Sequence, residues 1–342
     1  MSIRGSLIFA LGALLMAGWL PVDAQTAAPY AFKKPPNPGG NSYPTPDLVP
    51  YPNATDALQR RIDLFMGDWH EALPRHTHGS LILRDILMRG DNFAPAQRGA
   101  VFERFNALSH GILAAHNATI PEMLNDHQEV YYVLSGSGEV VAGGKAAAVA
   151  KDFAFIIPAH LEFSLRNTGD DALTMYVINE PLPPGFKAVS KVPVINEREV
   201  APTPPKGESP YTTPGATGHW AHIVRNLFNR TDGLATMGSL ITVTLAPLTM
   251  GEPHTHEPGH EEIWASLEGT TLAFMGSQLR MQRPGMAYML RPDVTMTHSN
   301  INFGDTPVKF LWFSVSRTSD SRTIIVNQPL VQPGTPPTSE RR

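Results

Sequence analysis

Glu262-Ile263-Trp264-Ala265-Ser266-Leu267-Glu268-Gly269 restates, 133 residues later, Glu129-Val130-Tyr131-Tyr132-Val133-Leu134-Ser135-Gly136: a glutamate, an apolar run, then a glycine. Downstream, Asn302-Phe303-Gly304-Asp305 follows Asn167-Thr168-Gly169-Asp170 at a spacing of 135, and Pro292 follows Pro158 at 134. Three separate landmarks hold one register within two residues, so the chain contains one domain twice. Around them lie short apolar runs at 130–134, 139–142, 153–157, 174–178, 240–245 and 308–315, separated by glycine and Asx turns. Runs this short and numerous, with no long stretch of period 3.6, predict strands and an all-β sandwich or barrel architecture.

Just upstream of the second glutamate stands Gly251-Glu252-Pro253-His254-Thr255-His256, followed by His260-Glu261-Glu262 and, further on, His298. Side chains at i and i+2 of a strand share a face, so His254 and His256 can both project inward onto one ion. His298 supplies a third imidazole from another strand. Three imidazoles and a carboxylate suit one divalent metal ion, Fe, Mn, Ni, Cu or Zn. Neutral imidazoles bind it at near-neutral pH without a large protonation cost.

These residues resemble the two motifs of the cupin superfamily. Its first motif reads glycine, His-x-His, three or four residues, glutamate, six residues, glycine, and Gly251, His254, His256, Glu262 and Gly269 match it. Its second, glycine, proline, histidine and asparagine, is matched by Gly285, Pro292, His298 and Asn302. The resemblance implies a bicupin: two antiparallel, jelly-roll-like β-barrels (double-stranded β-helices), with the metal inside the second, on His254, His256, Glu262 and His298. Five residues separate His256 from Glu262, so counting forward reaches His260 or Glu261, whereas counting back from Gly269 reaches Glu262. Alignment with Glu129 favours Glu262 and keeps His260 as the substitute ligand. The inner glycine of the second motif is missing near Asp293-Val294-Thr295. Glu261 and His260, beside the site, are the candidate catalytic acid–base groups.

The first copy has Pro121-Glu122-Met123-Leu124-Asn125 where the second has its histidine pair, and Phe163 at the position of His298. Glu129, His127 and His160 remain as scattered groups, so this copy reads as scaffold or as a pocket for an organic ligand. Upstream, Arg75-His76-Thr77-His78-Gly79 is a second His-x-His. It reads as a loop or edge strand with two solvated histidines; the alternatives are a second metal site or an arm reaching a barrel mouth. His219 and His222, around Trp220, read as structural. Met250, Met275, Met281, Met286, Met289 and Met296 read as core filler ahead of copper ligands, and Trp264 and Tyr288 as pocket walls.

The chain has 342 residues and no cysteine, which excludes disulfides and thiolate metal sites. Lys+Arg 27 against Asp+Glu 31 gives a net charge of −4, with no basic cluster to follow a phosphate backbone, so no nucleic-acid partner is expected. Residues 1–24 read as a secretory signal, with Arg4 before an apolar stretch and small residues ahead of Gln25. The expectation is a periplasmic or secreted protein with no membrane attachment after cleavage.

Proline-rich stretches divide the rest into an arm at 25–80, a first barrel at 81–182, a linker at 183–218, a second barrel at 219–320 and a tail at 321–342. A short helix is expected in the arm, capped by Asp56, with Leu58, Ile62, Phe65 and Met66 on one face and Gly67 ending it. Cupin cages support dioxygenases, decarboxylases, isomerases, lyases, hydrolases and non-catalytic binders. The expected function is therefore a metal-dependent enzyme of dioxygenase, lyase or isomerase type on a small oxygenated metabolite. The alternatives are a non-catalytic binding or structural bicupin and, by similarity of layout, a ureidoglycine aminohydrolase-like hydrolase. Cupin relatives often associate through barrel faces, which makes a homo-oligomer compatible with the resemblance.

Overall fold

Each of the six apolar runs is a strand or lies within one, and together they build two similar halves. The computed structural model describes residues 62–203, 221–256, 259–276, 278–290, 297–315 and 325–326. The signal sequence, residues 25–61 of the arm, His219, Pro292, Met296 and most of the tail fall outside these residues. Among the described residues no helix is long and apolar enough to cross a membrane.

The first half faces a large sheet with a small one. The large sheet runs Val194–Asn196, Phe153–Ile157, His127–Ser135, Leu173–Pro181, Ala107–Leu113, Leu81–Arg89 and Pro74–Thr77, with Ala100–Phe102 parallel to Leu81–Arg89. The small sheet runs Glu122–Met123, Glu162–Asn167, Ser137–Ala142 and Lys145–Ala150. In the second half the large sheet is Met66–Asp68, Met286–Met289, Glu261–Glu268, Val308–Val315, Ser239–Leu245 and His222–Asn229. Its small sheet is Thr249–Met250, His298–Asn302, Thr271–Met275 and Gln278–Gln282. The repeat thus describes one antiparallel, jelly-roll-like fold built twice.

The outermost strand of each large sheet comes from the segment that leads into the other half. Met66–Asp68 precedes the first half but pairs with Met286–Met289 of the second. Val194–Asn196 precedes the second half but pairs with Phe153–Ile157 of the first. The expected helix at 56–67 is, where described, one 3-10 turn, Ile62–Phe65, and Gly67 lies inside a strand. A Cβ on Gly67 would lie 1.8 Å from the Ile86 carbonyl oxygen, so glycine here permits close strand packing.

Strand alternation explains why the runs are continuously apolar. Val130 and Tyr132 belong to a core shared by the two halves, whereas Tyr131 and Val133 fill the interior of the first. Likewise Ile263 and Ala265 face the shared core and Trp264 the interior of the second. A sheet buried on both faces needs apolar residues at every position. The repeated glycines, Gly136 and Gly269, have φ of +83° and +78°, a turn conformation that L side chains rarely adopt. The repeated asparagines are structural as well. Asn167 Nδ2 donates to the carbonyls of Leu113 and Asp171, and Asn302 Nδ2 to those of Leu245, Ala246 and Thr306.

Candidate metal centre

The centre is assembled from three chain segments on the interior side of the second half. His254 forms a bridge with His298, N–H to carbonyl in both directions at 3.1 and 2.9 Å. This pairing holds the two imidazoles side by side, with ring centroids 4.1 Å apart. His256, two residues on, turns to the same side, 4.8 Å from the His254 ring and 5.1 Å from that of His298. Its backbone pairs with the short strand Ile325–Val326. Glu262 enters from the large sheet on the same face as Trp264.

His254, His256, Glu262 and His298 each offer one donor atom, and the four atoms lie within 4.8 Å of one another. All four residues are buried. Among the described residues no other histidine and carboxylate group meets this measure. His254 Nδ1 lies 2.7 Å from the Glu252 carbonyl oxygen, which fixes the proton on Nδ1 and leaves Nε2 as the metal-facing lone pair. The Trp264 indole N–H donates to Glu262 Oε1, so the carboxylate is oriented from behind. Oε2 of Glu262 closely approaches His256 Nε2, and Oε1 lies 3.2 Å from His298 Nε2. Burial acts to raise the Glu262 carboxyl, yet the His256 and His298 rings hold it well below the usual carboxylate range. A buried three-nitrogen, one-oxygen donor set whose atoms face each other fits a divalent transition metal.

His260 lies beside this set, its ring stacked on His256 at 4.4 Å and its Nε2 3.9 Å from Glu262 Oε2. Burial, then the nearby His256 charge, lowers its pKa to about 4. Between the two readings of the fourth ligand, the geometry groups Glu262 with the three histidines and leaves His260 adjacent.

Glu261 points elsewhere, and its expected place beside the centre is corrected. One residue from Glu262 on a strand, it faces the shared core, where it accepts from Glu103 N–H at 2.9 Å, Arg104 N–H at 3.3 Å and Asn92 Nδ2 at 3.2 Å. In the reverse direction Glu180 of the first half, on a different strand from the Gln128 that matches Glu261 in the repeat, accepts from Gln128 Nε2 and the N–H groups of Ala235, Thr236 and Met237. Burial raises both carboxyls, and these donors partly offset it. Each half therefore anchors a loop of the other with one buried carboxylate.

The remaining candidates separate by location. Tyr288 is fully buried and touches Asn300 Oδ1 at 3.2 Å, and the His222 ring lies 5.7 Å from Trp264. Met275 and Met286 belong to the second interior, Met289 to the shared core, and Met250 and Met281 are exposed. In the first half, His160 is exposed and His76 is solvated, but His78 is buried, against the expectation of two solvated rings. Sequence reasoning missed it because a residue upstream of the repeat has no counterpart in the second copy.

A sequence model of the cupin domain matches residues 111–179, the half without the histidine pair. No curated protein matches the sequence. Among solved structures, Bacillus subtilis oxalate decarboxylase, with Mn(II) centres, aligns at TM-score 0.52 and 15% identity over 76% of this chain and 79% of that one. Lactobacillus farciminis oxalate decarboxylase in a formate complex aligns at 0.53 and 14%, over 74% and 86%. Vicilin from Corylus avellana (hazelnut) aligns at 0.51 and 13%, over 74% and 85%. At these identities the likeness is one of fold.

Proposed function

From a chain that is a bicupin by fold, we propose a metal-dependent enzyme acting on a small oxygenated metabolite, with its centre in the second barrel. One observation carries the reading: three imidazoles and one carboxylate, all buried, offer donor atoms within 4.8 Å of one another. The fold likeness to oxalate decarboxylases, one with Mn(II) centres and one bound to formate, supports manganese as the first metal to test and small carboxylates as the first substrates. When bound, such an ion supplies Lewis-acid or redox chemistry to an oxygenated ligand.

The chain's own residues have separable tasks in this reading. His254, His256, Glu262 and His298 hold the ion, Trp264 orients the carboxylate, and His260 is the nearest further group able to exchange a proton. Glu261 holds the two halves together. Export through the sequence at 1–24 belongs to the same proposal and places the substrate outside the cytoplasm.

The test is elemental analysis of residues 25–342 purified without chelating resin, followed by reconstitution and a carboxylate panel read by dioxygen uptake and carbon dioxide release. About one transition metal per chain, lost in His256→Ala, supports the centre. A folded chain that takes up no metal on reconstitution would transfer the reading to a non-catalytic binding or structural bicupin.

A further inference from the structure

The first barrel places two carboxylates where the second places metal donors. Glu122 pairs with Phe163 as His254 pairs with His298, and Glu129 aligns with Glu262. The position two residues after Glu122, matching His256, is Leu124, and both Leu124 and Phe163 are buried in the apolar interior. The aromatic donor has survived: Tyr131 OH donates to Glu129 Oε2 just as Trp264 does to Glu262. An ion held here would have Glu122 and Glu129 but no imidazole at the positions matching His254, His256 and His298; His127, which matches His260, stands with its Nε2 3.9 Å from Glu129 Oε1.

His78 fills that gap from outside the repeat. Its Nε2 lies 3.0 Å from Glu129 Oε2, and its Nδ1 contacts Glu122 Oε1. The ring packs edge-on against Phe163, centroids 5.4 Å apart. The backbone is held for this purpose. His78 has φ +50°, uncommon for a non-glycine residue, and its carbonyl accepts from Ser80 N–H and Ile120 N–H, both at 3.0 Å. Burial acts to raise the Glu129 carboxyl, and His78 and then Tyr131 hold it below the usual range.

The geometry suits a space-filling ring rather than a ligand to one ion shared by both carboxylates. The two ring nitrogens diverge, one to each carboxylate, so their lone pairs cannot meet at a single ion shared with both. The ring thus stands between the two carboxylates with one nitrogen toward each, hydrogen-bonded to the buried Glu129 and in contact with the partly exposed Glu122. We propose that His78 is a built-in plug, whose ring occupies the space between Glu122 and Glu129 and closes the first barrel to divalent cations. The comparison with a metal-filled second barrel rests on the function proposed above; the plug itself does not.

The experiment uses the full mature chain, stripped with chelator and titrated with Mn(II) and Zn(II). Wild type is expected to take up one ion, lost in His256→Ala and retained in His78→Ala. In the metal-free state, millimolar imidazole is expected to raise the unfolding midpoint of His78→Ala by several degrees and leave wild type unmoved, because the vacated anionic space accepts the missing ring. Two ions per wild-type chain, one of them lost in His78→Ala, would make His78 a ligand and overturn the proposal. A folded His78→Ala insensitive to imidazole would overturn it too. If His78→Ala does not fold, wild-type stoichiometry decides, one ion for the plug and two against. Uptake of no ion by wild type would sink the metal centre instead, and the imidazole result would still judge the plug.

Discussion

Replacing Glu261 with alanine separates a structural carboxylate from a catalytic one. The side chain is fully buried and accepts from the N–H groups of Glu103 and Arg104 and from Asn92 Nδ2. Asn92 keeps a second acceptor, Glu103 Oε2 at 3.1 Å, so the alanine variant withdraws the acceptor from two main-chain donors. Leaving a buried donor unsatisfied costs about 1–3 kcal/mol, and relief of the carboxylate's own burial returns part of it, so the expected loss is about 3 kcal/mol. At roughly 2–4 °C per kcal/mol for a chain of this size, the unfolding midpoint falls by about 6–12 °C. Glu261→Gln keeps one acceptor oxygen and is expected to lose about half as much. Calorimetry gives the midpoint, and elemental analysis of the same samples gives metal per chain, which is expected to stay at the wild-type value. Turnover reduced tenfold or more with an unmoved midpoint would refute this reasoning and return Glu261 to the chemistry.

Three other predictions follow from the same geometry. His298→Ala is expected to empty the centre of metal, whereas Phe163→Ala, at the matching position of the first half, leaves metal content unchanged and costs about 3–5 kcal/mol of stability as a core cavity; elemental analysis and denaturant titration read the two effects. Trp264→Phe removes the indole donor to Glu262 and is expected to weaken metal binding by about 10–100-fold in a competition titration, with the fold retained. His110 has its pKa lowered to about 4 by burial, then by the charges of His70 and Arg84. The unfolded chain therefore binds a proton there between about pH 6.5 and 4 that the folded chain does not. Its contribution is highest above about pH 6.5 and is lost as pH falls, by about 3 kcal/mol at pH 4, and His110→Phe is expected to flatten that slope in urea melts at a pH series.

Much of the fold was legible because the constraints behind it are local. Gly136 and Gly269 end their strands at positive φ, Asn167 and Asn302 tie the same loop, and the runs between them are apolar. Each is a requirement that one residue type meets, so each recurs in the sequence at nearly constant spacing. The residues of the candidate cluster were legible for the same reason: His254 and His256 are two apart, and Glu262 has its partner in Glu129.

What the sequence could not show is which partner a segment finds. The stretch around Gly67 has helical spacing of apolar residues, yet Met66–Asp68 is a strand completing the second large sheet, because that edge offers unpaired backbone groups and a place too narrow for a Cβ. The linker strand Val194–Asn196 does the reverse service for the first half.

Glu261 and Glu262 illustrate the division most simply. Their adjacency in the chain makes both look like site residues, and alternation along a strand guarantees only that they point to opposite faces. The sequence determined a repeated all-β chain with one candidate set of histidine and glutamate donors, because turn glycines, apolar runs and i, i+2 histidines are short-range requirements. Only the tertiary structure decided that Glu262 faces the histidines while Glu261 clasps Glu103 and Arg104, and that His78 sits between Glu122 and Glu129. The contacts of Glu261, of His78 and of Glu262 with His298 join segments tens to more than a hundred residues apart, and the packing of two sheets and a second half selects them.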